Sequence, residues 1–177
     1  TIKTDAILVG IGGVPNTEIT DETKIVSDNG IKVDNQCRTN VKDVYAIGDC
    51  TNHWNTLYNR YIRLESVQNA IDQAKVVASN LTNIKTSYNA VPWFWSDQFD
   101  LKLQIAGISE GYEKTIIRIK EKQKSFSCLY LKDDVLIAVD SINDPKDFIQ
   151  SKKLIMNKVK LDLEKSKDVN AELKDMS

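Results

Sequence analysis

Apolar residues are spaced in two ways along this chain, and the change of spacing predicts its architecture. In the first half they come as short dense runs. Ala6 to Gly10 (AILVG) is nearly continuous and closed by glycine, which predicts a strand buried on both faces of a parallel sheet. Pro15 and Asn16 then predict a turn, because proline fixes its φ and lacks a donor while asparagine tolerates turn geometry. From Ile25 to Val33 short β-like pieces flank Asn29 and Gly30, a strong hairpin dipeptide. Val44 to Ile47 predicts a second buried strand, ending at Gly48 and Asp49, and a polar, Asn-rich loop follows from Thr51 to Asn59. Val67, Ala70, Ile71, Ala74, Val77, Ala78 and Leu81 then recur at helical spacing, predicting a helix from about Glu65 to Asn80.

Near Ala90 the spacing changes, and a domain boundary is expected there. Leu101 to Gly107, Thr115 to Lys120, Ser125 to Leu131 and Val135 to Ile142 alternate or nearly alternate, so they predict an antiparallel meander joined by short polar loops, with Asp133 and Asp134 marking one turn. Asp144 followed by Pro145 is a helix opening. The acceptor caps the first turn and the proline suits it, with Phe148, Ile149, Lys152, Ile155 and Val159 forming the stripe that covers the sheet's open face. After Leu163 the tail is charged and sparse in apolar residues, a composition that does not by itself predict packing.

Composition narrows the function classes. At 177 residues the chain has room for one good core or two small ones. Lys+Arg 24 against Asp+Glu 25 leaves a net charge of -1, without the basic excess that neutralising a phosphate backbone demands, so no nucleic-acid partner is expected. Cys37, Cys50 and Cys128 stand far apart with no CxxC, which argues against a zinc site and a redox dithiol. No apolar run approaches the roughly 20 residues of a membrane span, and the amino end lacks a signal-peptide pattern, so a soluble cytoplasmic protein with no membrane partner is expected. Thr1 stands where an initiator Met would, and an apolar strand is under way within a few residues. That start is expected of the middle of a gene product.

Three segments carry a family resemblance: VYAIGDC at Val44 to Cys50, RLESVQNAIDQA at Arg63 to Ala74, and VPWFWSDQFDLKLQIAG at Val91 to Gly107. Together they resemble the FAD-dependent pyridine nucleotide-disulfide oxidoreductase superfamily, in the branch of NAD(P)H:ferredoxin and rubredoxin reductases. The resemblance runs over nearly the whole chain in the family's order, from VGIGGVPN to the DPKDF helix opening. Many flavoproteins share the Gly-Asp element, whereas PWFWSDQ is specific to this branch.

Carried onto matching positions, the resemblance implies a cofactor site. A carboxylate after a buried parallel strand sits where open α/β sheets place ligands, and Asp49 would accept from a ribityl hydroxyl while Gly48 admits the cofactor backbone. The motif alone leaves that role level with an aspartate capping the next turn, and the resemblance favours the cofactor. It implies further that Ser66, Val67 and Gln68, at the amino end of the helix, face the flavin pyrimidine ring, where N–H groups and a positive dipole end suit developing negative charge. A plain amphipathic helix explains the same letters, and many relatives carry a bulky aromatic where Val67 stands. Trp95 and Asp97 are implied beside the isoalloxazine and the nicotinamide, while Trp93 reads better as interface core. GIGG at Gly10 to Gly13 is no dinucleotide fingerprint, because Pro15 takes the place of the third glycine. His53, the only histidine, is expected to be solvated in its loop, and Lys152 to Lys167 to be a solvated helical face.

No GxGxxG opens a strand-helix unit in these residues, although the ADP half of FAD and the nicotinamide cofactor each need one in this fold. The expected fold is therefore α/β and α+β. Residues 1–89 hold the end of the NAD domain, to about residue 15, and the second half of a Rossmann-like FAD-binding domain; residues 90–177 form a reductase C-terminal domain of antiparallel sheet plus helix. The implied function is the carboxyl-terminal part of an enzyme moving electrons from NAD(P)H through FAD to a ferredoxin or rubredoxin, with the fragment itself inactive. Two rivals remain: a non-enzymatic binding or assembly module built on that fold, and a disulfide reductase, disfavoured because the dithiol is missing. A strand edge and apolar patch left without neighbours should make the chain a homo-oligomer or leave its first 60 or so residues unfolded. The reading predicts that the isolated chain binds FAD weakly or not at all and reduces no dye with NAD(P)H; tightly bound flavin at unit stoichiometry would refute it.

Overall fold

The computed structural model describes residues 1–121 and 124–176. Two sheets organise it. In the first, β2 (Thr51–Asn55) is central, parallel to β1 (Ile31–Val33) and antiparallel to β3 (Arg60–Arg63), and the chain continues into α1 (Val67–Leu81). Five antiparallel strands make the second: β4 (Trp93–Gln98), β5 (Leu101–Gly107), β6 (Lys114–Lys120), β7 (Ser125–Lys132) and β8 (Val135–Ile142), in the order β4-β5-β8-β7-β6. Helix α2 (Pro145–Met156) covers one face.

Local chemistry explains the elements that form where expected. Asn29 and Gly30 turn the chain at φ 50 and 113, and a Cβ on Gly30 would meet the Cys50 carbonyl oxygen at 2.8 Å, so only glycine serves there. Asp144 caps α2 by accepting from the Asp147 N–H at 3.2 Å, ahead of Pro145 in the first turn. The alternation along β5 to β8 sends Ala106, Ile116, Leu129, Leu131, Leu136 and Val139 inward to meet Phe148, Leu154 and Ile155 of α2.

Several expectations are corrected. Ala6 to Gly10 form no strand, and Ile7 and Leu8 are 81% and 98% exposed. A strand buried on both faces needs neighbours at its edges and cover above and below, and the described residues supply neither. Val44 to Ile47 shrinks to one bridge, Tyr45 with Arg38, although the following turn at Gly48 forms. Thr51 to Asn55 is the middle strand rather than loop; its polarity hid it, since Asn52 Nδ2 donates to the Asp28 carbonyl at 2.8 Å and Asn55 Oδ1 receives the Leu57 N–H at 3.0 Å. The first sheet thus has three strands, all of them between residues 31 and 63. Helix α2 buries Phe148, Ser151, Leu154 and Ile155 and leaves Ile149 exposed, a stripe rotated from the expected one because the sheet takes positions spaced three and four apart. Trp93 to Gln98 adds an unexpected strand at the edge.

The tail is packed. Leu161, Leu173 and Met176 join the second core, and the reason lies on β6. Arg118, fully buried, donates Nε to Asp147 Oδ2 at 2.8 Å, Nη1 to the carbonyls of Ser166 and Asp168 at 2.7 and 2.8 Å, and Nη2 to that of Ala171 at 2.8 Å. Beside it Lys120 Nζ meets Asp144 Oδ2 at 2.6 Å and Asp147 Oδ1 at 3.1 Å. One guanidinium therefore ties a strand, a helix start and an irregular tail, with most of its donors satisfied. Among the described residues no helix is long and apolar enough to cross a membrane.

Replacing Arg118 with Met should cost about 3–5 kcal/mol, the usual penalty for stranding a buried partner charge. Chemical denaturation measures the loss, and limited proteolysis should show cutting between Glu164 and Met176 that the parent chain resists.

Candidate functional site

The sequence puts a left-handed glycine at the end of the Tyr45 bridge, and the structure uses it to bring the chain against α1. Gly48, at φ 83, donates its N–H to Gln73 Oε1 at 2.7 Å, and the place of its missing Cβ lies 3.7 Å from Ala70 Cβ. Thr51 closes the turn, its N–H and hydroxyl both reaching the Gly48 carbonyl, at 3.0 and 2.8 Å. Asp49 is exposed at the tip of that turn.

Helix α1 begins without a side-chain cap. Ser66 occupies the cap position, but its hydroxyl donates to the Trp93 carbonyl at 3.0 Å instead of accepting from the first turn, which also lacks acidic residues. The first N–H groups of a helix carry partial positive charge. Val67 beside them is 61% exposed, and Gln68 Nε2 is held by Asp72 Oδ1 at 2.8 Å. Ser66 thereby fastens this helix end to β4.

From β4 the aromatic side chains continue the surface. Trp93 and Trp95 lie 5.5 Å apart between ring centroids, Trp93 packs against Phe148 at 5.7 Å, and Lys152 Nζ sits 4.6 Å above the Trp93 ring. Burial lowers the Lys152 pKa, with Asp72 opposing the shift. Trp93 is the shared wall of two grooves: one of about 500 Å³ with Gln68, Asp72 and Lys152, and one of about 420 Å³ with Trp95, Asp97, Lys102 and Gln104.

The structure therefore places Gln68 in one groove and Trp95 and Asp97 in the other, on the two sides of Trp93, whereas Gly48, Asp49, Ser66 and Val67 line neither; Ser66 is buried beneath Trp93, and Gly48 packs beside Ala70. Sequence reasoning missed Gln73, which is fully buried and anchors the Gly48 turn, and Lys152, which caps an aromatic face instead of facing solvent. The spacing of Lys152 four residues after Phe148 was the available signal. His53 is a correction: it lies in β2, fully buried, edge-on to Tyr88 at 4.9 Å, and neither ring nitrogen has a partner among the described residues. Desolvation lowers its pKa to about 4.

These features fit the polar end of a flavin. An uncapped helix start offers N–H groups to an electron-rich ring edge and indoles offer flat cover, while the glycine turn packs against α1 itself. Among the described residues no cluster of three His, Cys, Asp or Glu side chains that could hold a metal occurs.

Residues 1–74 match the pyridine nucleotide-disulphide oxidoreductase family, and residues 93–177 match the family described as reductase C-terminal. The ferredoxin reductase subunit of 5,5'-dehydrodivanillate O-demethylase from Sphingobium sp. is 39% identical over 177 residues, covering 99% of this chain and 43% of that protein. Rhodocoxin reductase from Rhodococcus erythropolis is 40% identical over 98% of this chain and 40% of its own length. Among solved structures, the covalent putidaredoxin reductase–putidaredoxin complex superposes with a TM-score of 0.87 at 38% identity, over 94% of this chain and 40% of that one. The chain thus spans about two fifths of the length of these relatives.

The buried imidazole sets a pH dependence. Folding holds His53 neutral to about pH 4, whereas the unfolded chain takes up a proton below about 6.5. Stability should therefore be complete above pH 6.5 and fall as pH drops towards 4, by up to roughly 3 kcal/mol. Urea denaturation across that range should show the slope, and His53→Leu should flatten it.

Proposed function

The chain belongs to the pyridine nucleotide-disulphide oxidoreductase family, in its ferredoxin and rubredoxin reductase branch, and from that premise we propose that it forms the flavin-ring end of an electron-transfer reductase. In this reading residues 1–89 complete an FAD-binding portion and residues 90–177 form the terminal domain. The donor is NAD(P)H and the acceptor a small ferredoxin or rubredoxin. When bound, FAD supplies the chemistry of accepting a hydride and releasing electrons one at a time.

The observation that carries the reading is the start of α1. Its cap residue is turned away to the Trp93 carbonyl, so the amides of the first turn remain available, with aromatic cover alongside. Those amides stabilise negative charge at the ring edge. Asp49 accepts from a hydroxyl of the sugar-like chain, and Gln73 holds the Gly48 turn that carries it. Trp95 and Asp97 shape the face toward the donor, and Trp93 and Lys152 exclude water behind it. Both dinucleotide cradles must come from outside these 177 residues, so catalysis is assigned to the larger assembly. The free cysteines suit a reducing compartment, the cytoplasm. The exposed side chains of Ile7, Leu8, Val9 and Ile11 support self-association of the isolated chain.

In a protein that joins these residues to both cradles, Asp49→Ala should weaken FAD retention by about 1–3 kcal/mol for each lost hydrogen bond. The melting of the terminal sheet should stay unchanged. Flavin retained at parental affinity beside a destabilised terminal sheet would instead make Asp49 a turn cap.

A further inference from the structure

Strand β8 has a gap in its hydrogen-bonding ladder, and the gap lies beside the turn that joins β2 to β3. β8 pairs with β5 only as far as Gly107 and Ala138, because Gly107, at φ 78, turns Ile108 out of line. With β7 the register slips: Tyr130 stands opposite Ala138, and Leu131 opposite Leu136. Ile137 is the residue skipped, a bulge with no partner on either neighbouring strand. Its carbonyl and the Ile108 N–H therefore lack strand partners in a half-buried place, where unpaired main-chain groups are costly. Tyr58, from the turn between β2 and β3, fills both places. Its hydroxyl donates to the Ile137 carbonyl at 3.2 Å and accepts from the Ile108 N–H at 2.9 Å.

We propose that the Tyr58 hydroxyl is a lock between the two sheets, standing in for the missing strand partner so that both sheets open and unfold as one unit. The turn is built to present it. Asn55 Oδ1 accepts from the N–H groups of Leu57 and Tyr58 at 3.0 and 3.3 Å, and Asn59 takes the left-handed φ of 52 that returns the chain into β3. Leu57 beside it packs against the second core. Burial pushes the Tyr58 phenol up to about 12, against the Ile108 N–H and Arg60, so the hydroxyl keeps the proton that it donates. Arg60 also reaches Glu110 at 2.6 Å, but both side chains are well exposed and such a pair contributes little. β3 runs on to Ser66, whose hydroxyl holds the Trp93 carbonyl, so the two halves are tied by hydrogen bonds before and after that strand. Through α1 the lock also steadies the proposed flavin contact, a consequence that rests on the function given above, whereas the lock itself does not.

The three tryptophans report on the two sheets separately, Trp54 in β2 and Trp93 and Trp95 in β4. With 5-fluorotryptophan in the 177-residue chain, fluorine NMR along a urea series should show all three signals leaving the folded state at one midpoint. Tyr58→Phe keeps the ring and removes only the hydroxyl, and in that variant the Trp54 signal should leave first. Its Ile108 amide should exchange about tenfold faster or more, while the Leu129 amide inside the second sheet keeps its rate. Arg60→Ala should leave the three midpoints together. Separate midpoints in the unaltered chain, coincident midpoints in Tyr58→Phe, or the same split produced by Arg60→Ala would each overturn the proposal.

Discussion

A single buried guanidinium holds the second half of this molecule in register. Arg118 lies on the inner face of β6, where the neighbouring strands present leucine and valine, and a charge there is tolerable only because Asp147 and three main-chain carbonyls receive its donors. The constraint acts in two directions. It pins the amino end of α2 over the sheet, reinforced by Lys120 on Asp144, and it orders a tail whose own apolar content is too low to pack unaided.

The consequences run outward to the candidate site through contacts that can be followed one by one. Asp147 fixes the first turn of α2, so the next residue, Phe148, meets Trp93 at 5.7 Å, and Lys152 one turn later lies over the same indole. The Trp93 carbonyl then accepts from Ser66, and that bond takes the cap away from α1. A helix start without its cap is a local cost that isolated helices avoid, and it leaves the first-turn amides without a side-chain acceptor. Burial of one arginine and availability of the helix amides are therefore linked through the aromatic wall between them.

How much of this was legible in the sequence depends on whether a residue's neighbours are local. β5 and β8 show in the alternation of their own letters, α1 in its 3.6-residue spacing, and the start of α2 in Asp144 and Pro145. What escaped was decided at long range. β2 is a strand because its polar side chains find partners elsewhere, Asn52 at Asp28 for instance. His53 is buried by Tyr88, 35 positions away. The tail packs because of an arginine about 50 positions upstream. Conversely, Ala6 to Gly10 carries a clear strand pattern and lacks a sheet to join. For the candidate site, the family resemblance selected Gly48, Asp49, Ser66, Val67, Gln68, Trp95 and Asp97, of which Gln68, Trp95 and Asp97 line the grooves beside Trp93, but it gave no sign that Ser66 would spend its hydroxyl on β4.

The central claim is that the amides at the start of α1 receive the electron-rich edge of a flavin ring. The most direct test is a two-dimensional amide NMR titration of the labelled chain with FAD, which registers contacts even when affinity is low. The account predicts that the largest shifts fall on the amides of Val67, Gln68 and Asn69 and on the indole of Trp95. Shifts confined to other surfaces would contradict it.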